Sequence, residues 1–357
     1  MSLFKDILND NESLFINDAI ALDFDFQPKL IPYREKEQFS IANCVKPLFS
    51  KRNGKNVFIV GRPGVGKTVA CKHVLNELEE ETDEIIPIYI NCWKKNTTYK
   101  IFLELCDVLG YKFVQNKKSD ELFDKIKEIL NKKSVAFVFD EIDKVEDYSF
   151  LYTLLEEIYR KTIILITNHK SWIIDMDNRI KSRLTPEVIE FLPYNNKETT
   201  GILEQRRDLA FVANVWDEEA IIDVVKRTSE LKDIRSGLYL MKESGNAAEN
   251  ESSRKVLPKH VDIAYKKLNE TNIKSSDLED DTKFILDIVK KSPASKIGDL
   301  FNTYIKESGK GTYKTFQRKI KKLEDDKIIS VKKTSGGKEG NTSIISYLGE
   351  VKKLSDY

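Results

Sequence analysis

The chain has 357 residues, a third of them charged, and a formal net charge of +1 at pH 7. That length exceeds a single hydrophobic core and predicts two or three domains. No apolar run reaches the ~18 residues of a membrane span, and Met1 to Asp6 lacks the basic-then-apolar pattern of a signal segment, which predicts a cytoplasmic protein with no membrane partner.

The near-neutral total hides an asymmetry. Residues 282–357 hold 17 Lys and Arg against 9 Asp and Glu, a net of +8, so the first 281 residues carry −7. The C-terminal end is suited to a polyanion. Cys44, Cys71, Cys92 and Cys106 form no C-x-x-C pair, and His73, His169 and His260 are scattered. Packing roles in a reduced compartment therefore fit the cysteines better than disulfides or zinc.

In chain order, residues 1–30 have little periodicity and read as an arm. Pro32, Glu35 and Glu37 then open a helix whose apolar positions are Phe39, Ile41, Ala42, Val45 and Phe49. Arg34 at its start is equally readable as a solvated residue.

The strand Val57–Val60 runs into Gly61-Arg62-Pro63-Gly64-Val65-Gly66-Lys67-Thr68, a complete phosphate-binding loop. Gly61, Gly64 and Gly66 let backbone N–H groups of the loop, through Val65 and Val69, close around phosphates at a helix N-terminus. Lys67 reaches the β- and γ-phosphates, and the Thr68 hydroxyl is a Mg²⁺ ligand. ATP or ADP with Mg²⁺ is the predicted cofactor, and no other metal is predicted.

A helix from Val69 to Glu80, a strand Ile85–Ile90 and helices Thr98–Leu109 and Asp120–Leu130 follow. The run Val135–Phe139 reads as a strand buried on both faces, ending in Asp140-Glu141. Asp140 is placed for Mg²⁺ and Glu141 for polarising water. A strand Thr162–Thr167 ends at Asn168, a candidate to orient water beside a γ-phosphate. Arg183, or else Arg179, is a candidate arginine finger toward a neighbouring subunit, with a surface role as the alternative. Strands alternating with helices predict an α/β parallel sheet.

From Asn195 the pattern is helical: Lys197–Ala213, Glu218–Ser229 and Lys232–Glu243, with Arg235 able to approach the phosphates. A loop at Asn246–Leu257, a helix Pro258–Leu268 and a polar linker Asn269–Asp281 come next. Helices at Lys283–Lys290, Ile297–Ile305 and Tyr313–Leu323, then strands Ile328–Lys332 and Ser343–Leu348 around a Gly-rich turn, predict a winged helix-turn-helix. Tyr313, Lys314, Arg318, Lys319 and Lys322 on its third helix, with Lys332, Lys333 and Lys338 on the wing, are candidate duplex-DNA contacts. A protein-docking role for this piece is the alternative.

The loop, the Asp140-Glu141 pair, Asn168, Arg183 and Arg235 together resemble an AAA+ ATPase. Pro32-Tyr33-Arg34-Glu35, Asn91-Cys92 with Thr98-Tyr99, Phe191-Leu192-Pro193-Tyr194, and Ile202 to Arg206 with Leu209-Ala210-Phe211 narrow the likeness. They resemble the archaeal and eukaryotic replication initiators of the origin-recognition and cell-division-cycle family. Tyr33 stands where that family usually has His, Lys232 where Gly often precedes the lid's Asp and Arg, and the helical insert within Trp93 to Leu109 is not rich in Arg.

The resemblance implies a P-loop AAA+ parallel sheet (residues 31–194) with an N-terminal arm (1–30), a helical lid (195–270), a linker (271–281) and a winged helix (282–357). It implies nucleotide contacts from Arg34, Tyr194 and Arg206. It also implies an ATP-dependent, nucleoid-associated initiator that binds origin duplex, self-associates on DNA and helps load the replicative helicase, with slow hydrolysis as a switch. A nucleotide-gated transcription or defence ATPase and a clamp- or helicase-loading motor are the alternatives.

Overall fold

The computed structural model describes residues 13–28, 31–174, 176–292, 295–307, 309, 311–325, 329–334 and 342–347. The chain divides into two compact units, Met1–Tyr265 and Lys266–Tyr357.

The first unit is built on a five-stranded parallel sheet. Its strands are β1 (Val57–Gly61), β2 (Ile85–Asn91), β3 (Ser134–Asp140), β4 (Lys161–Thr167) and β5 (Glu187–Phe191), in the order β2-β3-β4-β1-β5. Helices α1 (Glu35–Val45), α2 (Lys67–Glu81), α3 (Thr98–Val108), α4 (Ser119–Leu130), α5 (Ser149–Glu157) and α6 (Asn178–Leu184) connect them.

β3 is buried at every position. Val135, Phe137 and Phe139 enter one core with Phe102, Phe123 and Phe150, and Ala136 and Val138 enter the other with Ile59, Ala70 and Leu75. This two-sided burial is why the strand reads as a continuous apolar run rather than an alternation. The register places Asn91 beside Asp140, Val60 beside Thr167 and Gly61 beside Phe191, so the polar strand ends gather at one edge.

Four of the strands lie where the sequence predicts them. β5 was not predicted: as an edge strand it exposes Glu187, Val188 and Glu190 and buries only Phe191, so it lacks the apolar signature of its neighbours.

Helices α7 (Asn196–Ala210), α8 (Glu218–Leu231), α9 (Ile234–Asn250) and the start of α10 (Pro258–Lys291) form a helical lid. Each of the first three has a side-chain cap: Asn195 accepts from Glu198 N, Asp217 from Glu219 N and Asp233 from Arg235 N. α9 runs seven residues past the predicted stop at Glu243, because Ala247 and Ala248 are buried and continue its apolar face.

The N-terminal arm packs on the lid. Ile16 N donates to Ala210 O at 2.8 Å, Val212 N donates to Leu14 O at 3.0 Å, and Phe15 lies 4.8 Å from the Phe211 ring. A 3-10 helix, Asn17–Leu22, follows.

In the second unit, the end of α10 joins α11 (Ile297–Lys306) and α12 (Tyr313–Asp325). With them is a three-stranded antiparallel sheet of β6 (Ser295–Lys296), β7 (Ile329–Thr334) and β8 (Thr342–Tyr347), in the order β6-β8-β7. Ile285, Ile288, Leu300, Tyr304, Phe316, Ile320 and Ile345 form its core. This is the element set of a winged helix-turn-helix. The two-residue strand β6 is too short to show in a sequence.

The stretch Asn269–Asp281, predicted as a linker, has helical backbone within α10. It contains no Gly or Pro, and a polar stretch without a breaker can continue a helix begun by its neighbours.

Candidate nucleotide-binding site

A cleft of about 420 Å³ lies at the C-terminal edge of the sheet, between the phosphate loop and the lid. Gly64, Val65, Gly66, Lys67, Thr68 and Val69 line it from the loop, Asp140 and Glu141 from the end of β3, and Arg206 and Arg235 from the lid. Parallel sheets present ligand sites at this edge.

The loop backbone needs its glycines. Gly64 has φ +72° and Gly66 φ +88°, and a Cβ on them would lie 1.8 Å from Asp233 Oδ1 and 2.4 Å from the Tyr194 hydroxyl, respectively. The lid and the sheet thus close on the loop at backbone distance.

The Lys67 ammonium donates to Gly61 O at 2.8 Å, Arg62 O at 2.8 Å and Asn168 Oδ1 at 2.7 Å. Burial lowers its pKa to about 8. The nearby Asp140 charge opposes that shift and Arg235 adds to it.

Asp140 is buried, and its Oδ2 accepts from the Thr68 hydroxyl at 2.6 Å and from the Tyr89 hydroxyl at 2.9 Å. A hydroxyl and a carboxylate side by side next to a phosphate loop make a hard-oxygen donor pair, so these residues fit Mg²⁺, which takes few protein ligands and completes its shell with phosphate and water. Glu141 has φ +55°, a strained backbone for a residue with a side chain. Burial raises its pKa, and the charges of Asp140 and Asp143 raise it further.

Arg34 is placed differently from the sequence reading. It does not line the cleft. Its Nε donates to Val65 O at 3.1 Å, Nη1 to Glu37 at 2.8 Å and Nη2 to Leu192 O at 2.5 Å, and the guanidinium lies 4.1 Å from the Tyr194 ring centroid. Through this network it supports the loop from behind.

Gly61 likewise serves Lys67 through its carbonyl and does not line the cleft. Tyr194 lines a smaller recess of about 60 Å³ behind Gly66 and Val69. Arg206 lines both recesses, but its guanidinium donates to Ala21 O at 2.9 Å and Phe26 O at 3.4 Å, anchoring the arm.

Arg183 pairs with Glu156 and its guanidinium lies over the Tyr152 ring, while Arg179 pairs with Asp177 at 2.9 Å. Neither lines the cleft.

Sequence reasoning missed Phe24, Asp25 and Gln27 of the arm and Tyr89, Asn91, Lys72 and Lys94, all of which line the cleft. Tyr89 and Asn91 had a signal, since they end a parallel strand on the ligand edge. The arm residues had none.

Models of two known domains match the sequence: the AAA domain over residues 51–171, and the Cdc6 AAA+ ATPase-type lid domain over residues 200–266. The ORC1-type DNA replication protein of Pyrococcus furiosus is 31% identical over 288 residues, covering 75% of this chain and 68% of that protein. The chain belongs to the ORC1-type DNA replication protein family.

Another member, ORC1-type DNA replication protein 2 of Methanothermobacter thermautotrophicus, is 26% identical over 362 residues, covering 96% of this chain and 94% of the relative. Among solved structures, the Aeropyrum pernix Orc1 protein in complex with DNA superposes with a TM-score of 0.70 at 22% identity, over 94% of each chain. The chain therefore has the nucleotide-binding AAA+ fold of that family. No helix among its described residues is long and apolar enough to cross a membrane.

The second unit carries the basic candidates. On α12, Phe316, Ile320 and Leu323 are buried, while Lys314, Arg318 and Lys321 are exposed and Lys319 is half-buried. The Tyr313 ring packs edge-on against Phe301 at 5.0 Å and stays partly exposed. Lys332 on β7 is exposed. Lys338 lies outside the described residues, as do the side chains of Lys322 and Lys333.

Proposed function

We propose that the chain is an ATP-dependent replication initiator that binds origin duplex through its winged helix, helps load the replicative helicase, and uses slow ATP hydrolysis as a switch. The observation that carries this reading is the convergence of Lys67, Thr68, Asp140, Glu141 and Arg235 on one cleft in a chain of the initiator family. DNA is the partner in the solved relative's complex, and the exposed cations of α12 give this chain the chemistry for the same ligand.

In this mechanism the loop's backbone N–H groups hold the triphosphate, and Lys67 exchanges its carbonyl partners for β- and γ-phosphate oxygens. Thr68 and Asp140 would hold Mg²⁺, which would supply positive charge to offset that of the phosphates. Glu141 accepts a proton from the attacking water. The water oxygen bonds to the γ-phosphorus as the bond from that phosphorus to the β–γ bridging oxygen breaks, leaving ADP and phosphate. Asn168 orients the water and Arg235 reports phosphate contact to the lid. Arg183, or Arg179, supplies charge to the site of a neighbouring copy, which accounts for its position outside its own cleft.

Glu141→Gln should keep nucleotide and duplex binding and lose turnover by at least ~100-fold. Unchanged phosphate release in a single-turnover assay would remove Glu141 from this role.

A further inference from the structure

The strand N-termini lie at the sheet edge opposite the nucleotide cleft, and three connecting segments are stitched together there. Ser134 Oγ donates to Leu48 O at 3.3 Å, Gly54 N to Lys161 O at 3.1 Å, and Arg160 Nη2 to Asn131 O at 3.2 Å and Lys132 O at 3.1 Å. Across residues 44–56, 131–134 and 158–161 the sequence has eight Lys and Arg and no Asp or Glu, and the segment that enters β2 at the same edge adds Asp83 and Glu84. This cluster sits in the part of the chain whose net charge is −7.

Five of the eight have a local partner, Arg160 among them. Lys55 pairs with Glu187 at 2.5 Å, and Lys161 turns inward to Ile158 O at 2.5 Å. Lys46, Lys51, Arg52, Lys132, Lys133 and Arg160 remain at this edge. Lys132 is 3.9 Å from Glu128, and Lys133 donates to the backbone oxygen of Asp83 at 2.6 Å. Three of these cations, Lys51, Lys133 and Arg160, line a cleft of about 100 Å³ together with Phe49 and Thr82, with Glu84 the one carboxylate in its wall.

Two exposed aromatic residues belong to these segments: Phe49, which lines the cleft, is 53% exposed, and Tyr159, the neighbour of Arg160 in sequence, is 65% exposed. Exposed rings carried on the same segments as cations match the two needs of an unpaired nucleic-acid strand, whose bases seek a stacking face while its phosphates seek positive charge. A duplex keeps its bases stacked on one another and leaves such rings without a partner.

We propose that this edge of the ATPase unit is a second nucleic-acid contact, taking single-stranded nucleic acid with phosphates at Lys51, Lys133 and Arg160 and bases on Phe49 and Tyr159. The proposal is independent of the winged-helix reading, which concerns duplex DNA and α12.

The test is anisotropy of labelled oligothymidine and of a labelled random duplex with the full-length chain across a salt series. The double variant Lys51→Glu/Lys133→Glu should bind the single strand at least ~10-fold more weakly, with a log–log salt slope flatter by about 1.4, two contacts' worth. Its duplex affinity and ATP turnover should be unchanged. Phe49→Ala/Tyr159→Ala should lose ~10-fold for the single strand with no change in slope, and Lys51→Arg/Lys133→Arg should bind as the parent does.

Absence of oligothymidine binding by the parent chain, or parental affinity in both loss variants, overturns the proposal. So does an equal loss on duplex, which would indicate a diffuse charge effect. If a variant loses ATP turnover through misfolding, photo-crosslinking of the parent to oligothymidine decides. Adducts at Phe49 or Tyr159 support the site, and adducts confined to residues 282–357 overturn it.

Discussion

Lys67 makes three hydrogen bonds in a site where burial has already brought its pKa down to about 8. A triphosphate binds the protonated lysine. Below about pH 8 the proton is in place and ATP affinity should be flat. Above it the proton must be taken up on binding, and the dissociation constant should rise roughly tenfold per pH unit until the bound lysine's own higher pKa is passed. Titration of a fluorescent ATP analogue from neutral to alkaline pH measures this directly, and a flat profile throughout would remove Lys67 as the titrating group.

Arg34 illustrates what is legible in a residue and what is not. The Pro32–Glu35 box marks it as special, yet its partners Val65 O, Glu37 and Leu192 O are brought to it by tertiary folding alone. Replacing it by Ala leaves Glu37 and two carbonyls without their partner. We expect a loss of about 3 to 5 kcal/mol in chemical denaturation, together with weaker ATP binding because the loop loses its support. Loss of ATP affinity with full stability would return Arg34 to direct nucleotide contact.

At the scale of elements, strands with a strong apolar run were legible and the half-exposed β5 was not, because period and hydrophobicity report burial rather than pairing. The cleft followed the same division. Residues of the phosphate loop and the end of β3 could be read from spacing, whereas Phe24, Asp25 and Gln27 reach the cleft only because the arm is carried there by the lid.

Lys232 shows how a local departure becomes a measurable cost. It ends α8 with φ +56°, in the left-handed region that glycine favours. Lys232→Gly should raise the urea midpoint, by about 1 kcal/mol of stability, with an unchanged slope. A lower midpoint would mean that the side chain contributes more than the backbone strain costs.

For the whole molecule, the uneven charge is the feature with the longest reach. The last 76 residues hold a net +8, so duplex affinity should fall steeply with salt. Lys314→Ala/Arg318→Ala should flatten the log–log slope by about 1.8, at roughly 0.9 per phosphate contact, and weaken all sequences alike. A variant that loses one sequence selectively at constant slope would instead place these residues on base edges.

The arm's anchoring bears on how the ATPase unit can move. Gln27 accepts a hydrogen bond from Asn76 on α2 at 3.1 Å, while Arg206, Lys242 and Glu249 of the lid hold residues 13–26. Besides the chain through Pro193, this strap is a further tie between the lid and the sheet. A plate hung at more than one point is denied the twisting freedom of a plate hung at one.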